Sequence, residues 1–103
     1  MKQQPANPDL ADLSDALLSL QSRAEVEAFL ADLCTPAELR AFAERWAVAR
    51  LLAKGDMPYR EIAETVGAST TTVVRVARYL KDMPYGGYRM VLDRRVSGAE
   101  AGQ

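Results

Sequence analysis

An all-α fold organised around a helix-turn-helix follows from three observations in this sequence. Residues 59–80, YREIAETVGASTTTVVRVARYL, place Ala63 four positions before Gly67 and Val73 six positions after it. A small residue lets two helices cross closely, the glycine is free to take positive φ in the turn, and the branched residue anchors the second helix to the first. Asn7-Pro8, Ser22 with Glu25, and Thr35-Pro36 with Glu38 mark three further helix starts by their capping chemistry. Between those starts apolar residues recur at helical spacing.

Composition bounds the rest. A chain of 103 residues with 49% hydrophobic content fits one globular domain. A helical chain this short gains core by pairing with a second copy, so a homodimer is expected. No apolar run approaches about 18 residues and the N-terminal MKQQPANPDL holds no hydrophobic signal segment, so the expectation is a soluble, cytoplasmic protein without a membrane partner. The chain has no histidine and one cysteine, Cys34, which reads as a small buried apolar side chain. That composition excludes Ser-His-Asp and Cys-His catalysis and disfavours a zinc site, and neither a P-loop nor a GxGxxG sequence is present. The expectation is a protein that is not an enzyme and needs no metal or cofactor. The formal charge of −1 averages two unlike parts. Residues 1–34 carry a net −4 and residues 35–95 a net +4, so an acidic arm and a basic body are considered separately.

Residues 1–6 are polar and expected to be disordered. Asn7 caps a first helix opened by Pro8, with Leu10, Leu13, Leu17 and Leu20 along one face. Ser22 and Glu25 box the start of a second, with Val26, Phe29, Leu30 and Leu33 as its apolar stripe. Leucine-rich faces with acidic backs suit an arm, residues 1–34, that wraps a partner chain; a membrane-surface role would want basic residues on the polar face. The third helix opens at Thr35-Pro36-Ala37-Glu38, carries Leu39, Phe42, Ala43, Trp46, Ala49 and Ala53 along one side and Arg40, Arg45 and Arg50 on another, and closes at Lys54-Gly55. In the helix-turn-helix, Ile62, Ala63 and Val66 face inward from the first helix. Gly67-Ala68 turns the chain and Ser69 caps the second. On that helix Val73, Val76, Ala77 and Leu80 should pack inward, with Thr71, Val74, Arg75 and Arg78 opposite. Asp82-Met83-Pro84 breaks the pattern and Gly86-Gly87 turns the chain. Tyr88, Val91 and Leu92 can then lie on a short last helix against the partner, and 96–103 reads as a disordered tail.

These residues suit double-stranded DNA. The N-terminal turn of a recognition helix enters the major groove and needs short polar side chains, which Ser69, Thr70, Thr71 and Thr72 supply; threonine methyls and Val74 can touch a thymine methyl. Arg75, Arg78 and Lys81 can reach phosphates or a guanine edge from the same helix, which has no acidic residue from Ser69 to Lys81.

Thr35-Pro36-Ala37-Glu38, Arg45, Gly55, Met57, Arg60-Glu61, Gly67-Ala68 and Thr72 to Arg75 together resemble the Trp repressor superfamily. Tyr85-Gly86-Gly87-Tyr88-Arg89-Met90-Val91-Leu92-Asp93-Arg94 is similar to its TrpR-related YerC/YecD branch. The resemblance implies an intertwined all-α homodimer, with a Trp repressor-like domain over residues 35–95 and two heads reading the half-sites of a pseudo-palindromic operator. The repressor that gives the superfamily its name holds L-tryptophan as corepressor, and the resemblance maps its ligand-holding threonines and arginines onto Thr35, Arg45, Thr72 and Arg75. Two departures weigh against that ligand here: Val76 replaces a glycine beside the indole and Tyr79 replaces a serine that helps hold the ligand amine.

The leading expectation is therefore a sequence-specific DNA-binding regulator, a repressor acting through recognition helix 69–80. A repressor answering to tryptophan or another small molecule, and a helical interaction module that binds no DNA, are the alternatives.

Overall fold

A computed structural model describes the backbone of residues 7–101 and the side chains of residues 7–96. The polar stretch 1–6 and the last two residues of the expected tail lie outside the described residues. Six helices run α1 Pro8–Leu18, α2 Arg23–Leu33, α3 Pro36–Lys54, α4 Tyr59–Val66, α5 Thr70–Lys81 and α6 Gly87–Ala101, and no strand occurs among the described residues. The chain divides into two compact units, Met1–Leu39 and Arg40–Gln103. The division falls just inside α3, a few residues past the change of charge at 34/35.

Local chemistry sets the helix starts in the first unit. Asn7 Oδ1 accepts from Leu10 N at 3.1 Å, and Ser22 Oγ accepts from Glu25 N at 3.1 Å. Glu25 returns its carboxylate to Gln21 N at 2.8 Å, one residue before the expected partner. At α3 the box is reciprocal: Thr35 Oγ1 accepts from Glu38 N at 3.1 Å, and Glu38 Oε1 accepts from Thr35 N at 2.8 Å. Each box satisfies donors that a helix start leaves orphaned. Neither α1 nor α2 buries a residue completely, and Leu10, Leu17, Leu18 and Leu33 are exposed. Cys34 is half-buried at the C-cap of α2 and not the enclosed side chain expected. It terminates a helix that has no closed interior behind it.

The core of the second unit is Val48, Ala49, Ile62, Ala63, Val73 and Val76, drawn from α3, α4 and α5. Trp46, Leu51, Leu52, Met57, Val66 and Tyr88 pack around it. The inward residues expected on α4 and α5 are inward, with Ile62, Val73 and Val76 fully buried and Leu80 half-buried. On α3 the expectation needs correcting. Val48, absent from the expected stripe, is fully buried beside Ala49, while Phe42 stays 48% exposed and Ala43 and Ala53 are exposed too. Apolar residues are spread around this helix with charged ones between them, so periodicity does not select the face that packs. On α6, Leu92 is buried and Tyr88 packs on the core within the chain itself. The backbone is also helical through Ala101, not a tail from residue 96. No proline interrupts α6, and one internal glycine costs only about 1 kcal/mol against the helix formers around it.

Gly67 ends α4 in the left-handed region at φ 81°, and its N–H donates to Ala63 O at 2.8 Å. No atom lies within 4 Å of where a Cβ would sit. Gly67→Ala therefore meets only the backbone penalty, and we expect it to destabilise the chain by about 1–2 kcal/mol in thermal or denaturant unfolding.

Candidate nucleic-acid interface

Helix α5 is positioned by burial on one side and capped by its own sequence. Val73, Val76 and Ala77 seat it on the core, and Ser69 Oγ accepts from Thr72 N at 3.1 Å to start it. At about 100° per residue, Thr70, Thr71, Val74, Arg75, Arg78 and Lys81 fall within an arc of about 140° on the opposite side. All six are exposed, Val74 to 48%. Hydroxyls occupy the N-terminal turn of this arc and three cations follow, with no carboxylate among them. Short donors and acceptors thus lead where a base edge would be met, and long cations lie further along, within reach of backbone phosphates.

Two of the expected contact residues are employed otherwise. The hydroxyls of Ser69 and Thr72 share a hydrogen bond of 3.1 Å, and Thr72 is half-buried. Their oxygens serve the cap first, which leaves Thr70 and Thr71 as the free hydroxyls of the helix start. The capping pattern visible in the sequence could have separated the two pairs, because a capping Ser at 69 reaches the residue three positions on.

The four positions mapped to a corepressor are each engaged close to home. Thr35 caps α3 in the first unit. In the second unit, the Arg45 guanidinium lies over the Phe42 ring at 5.9 Å from its centroid, and that of Arg75 over the Tyr79 ring at 4.7 Å. Thr72 belongs to the α5 cap. Val76 is fully buried in the core. Near the end of α5 an open apolar hollow of about 580 Å³ is lined by Trp46, Tyr79, Tyr85, Tyr88, Met90 and Val91. Sequence reasoning did not anticipate this aromatic grouping, because its members are brought together from α3, α5 and the approach to α6.

A capped helix presenting hydroxyls and arginines from a buried helix-turn-helix core defines the class: a helix-turn-helix protein of wholly α-helical fold. Comparison with known proteins makes the class specific. The family model described as Trp repressor protein matches residues 8–96, and the chain belongs to that family, which is one of helical DNA-binding regulators. The chain is 42% identical over 88 residues to YerC of Bacillus subtilis (strain 168), an uncharacterized protein, covering 84% of this chain and 81% of that one. Its structure is similar to that of a Staphylococcus aureus protein provisionally assigned as a Trp repressor, with a TM-score of 0.80, 38% identity and coverage of 87% of this chain and 88% of the other. A TrpR-like protein from Eubacterium eligens ATCC 27750 matches with a TM-score of 0.80 at 36% identity, covering 85% of this chain and 89% of that one. The similarity to YerC agrees with the branch that the C-terminal motif resembles.

Proposed function

We propose that this chain is a sequence-specific transcription regulator, a repressor that occupies a pseudo-palindromic operator as a homodimer through recognition helix α5. The observation that carries this reading is the exposed arc of Thr70, Thr71, Val74, Arg75, Arg78 and Lys81 on a helix that buries Val73, Val76 and Ala77 on its other side. The dimer is supported by the leucine faces of α1 and α2, which bury no residue completely, and by an acidic arm that complements a basic body. Two-fold symmetry would then present two copies of the arc to half-sites about one helical turn apart. Among the described residues no helix is long and apolar enough to cross a membrane.

Selection of bound fragments from genomic DNA tests the reading. We expect a recovered operator whose affinity falls steeply with rising salt while its preference over random sequence persists at physiological salt. Recovery of no fragment at any salt would refute it.

L-tryptophan is not the effector in this reading. Val76 is fully buried where the resemblance has a glycine beside the indole, and Tyr79 lies under Arg75, one of the two arginines mapped to the ligand. A ligand bound only by the folded state raises the melting temperature. We therefore expect no thermal shift with millimolar L-tryptophan; a saturable rise would restore the tryptophan-responsive alternative.

A further inference from the structure

Arg75 has a partner that the other cations of the arc lack. Its guanidinium carbon lies 4.7 Å from the centroid of the Tyr79 ring, one helical turn on, and among the described residues neither Arg78 nor Lys81 sits over a ring. Arg75 forms no ion pair among the described residues, so the ring is what holds the cation in the free chain. Tyr79 is itself half-buried and borders the hollow lined by Trp46 and Tyr88. Those two side chains pack against the buried core, and the ring under Arg75 is half-buried beside the hollow that they line.

An exposed arginine loses rotamer freedom when it binds a phosphate, and that loss weakens the contact. An attractive ring beneath the guanidinium removes part of the loss beforehand. It occupies one side of the group and leaves N–H donors elsewhere on the planar fork for a phosphate oxygen. We propose that Tyr79 is a positioning residue for DNA binding: its ring holds the Arg75 guanidinium on the exposed arc before DNA arrives, so the arginine meets a backbone phosphate already ordered. This inference rests on the DNA-binding reading above.

The test uses the full chain and a random-sequence duplex at low salt, since a phosphate contact does not depend on sequence. Tyr79→Phe, Tyr79→Leu, Arg75→Ala and the double variant Tyr79→Leu/Arg75→Ala are compared. Tyr79→Phe keeps the ring and should bind as the parent does. Tyr79→Leu should weaken binding about two- to fivefold, the span of an exposed cation–π contact. The same replacement should change nothing further once Arg75 is alanine, because the two act through one contact. A Tyr79→Leu variant that binds like the parent, a Tyr79→Phe variant as weak as Tyr79→Leu, or a Tyr79→Leu loss that persists without Arg75 would overturn the positioning role alone. A second measurement needs neither DNA nor a variant: in the free parent the Arg75 side-chain protons should resonate upfield through the ring current of Tyr79. Their absence from that region overturns the pairing directly. A parent that shows the upfield shift yet binds no duplex overturns the DNA-binding reading, and the role of the pair with it.

Discussion

Replacing Thr71 and Arg75 together with alanine is expected to weaken operator binding on the order of 100-fold, from about 1–3 kcal/mol for each lost groove or phosphate contact. The salt slope of log affinity should also fall in magnitude by about 1 for each phosphate contact that Arg75 makes. Both side chains are exposed on the arc, and neither belongs to the core. Their loss should leave the melting temperature close to that of the parent, since exposed substitutions of this kind stay within about 0.5 kcal/mol. Titration of a labelled operator by fluorescence anisotropy, with a melting curve of the same sample, separates the two effects. Unchanged affinity would mean that DNA is met by another surface and not by the exposed arc of α5.

Ile62→Ala should have the opposite signature. Ile62 is fully buried among Val48, Val73 and Val76, so truncation removes transferred apolar atoms and leaves a cavity where three helices meet. Buried Ile→Ala changes cost about 2–5 kcal/mol. In a unit this small that corresponds to a fall in melting temperature of about 10–30 °C. Val74→Ala is the matched control: 48% exposed, it should move the midpoint by less than about 0.5 kcal/mol while weakening contact with DNA. Equal destabilisation by the two changes would mean that α5 is rotated about its axis relative to the arrangement described, and that the recognition arc lies on another side of the helix.

Much of the exposed arc is legible in the sequence because α5 is strongly two-sided. Its buried residues Val73, Val76 and Ala77 fall on one face and its cations, with Thr70, Thr71 and Val74, on the other, and a helix with that division has one way to sit on a core. The division of labour among the hydroxyls is not legible there. Four consecutive residues, Ser69 to Thr72, have similar chemistry, and the cap claims Ser69 and Thr72 through a geometry that depends on where the first turn begins. Residues four apart share a helix face, so the pairing of Arg75 with Tyr79 is one of the contacts that their spacing permits. A ligand carboxylate or a phosphate competes for the same guanidinium, and spacing alone does not choose among the three.

The sequence by itself determined the capped starts of α1, α2, α3 and α5, the turn at Gly67 and the inward faces of α4 and α5. Each of these rests on local chemistry within a few residues or on an apolar stripe narrow enough to point one way. The tertiary structure alone decided which side of α3 packs, that Leu92 is buried in its own chain, and that Trp46, Tyr79, Tyr85 and Tyr88 line one hollow. A helix with apolar and charged residues intermixed around it offers several faces of similar hydrophobicity. Only the shapes of the helices laid against it select one, and those contacts join residues too far apart in the chain for periodicity to relate.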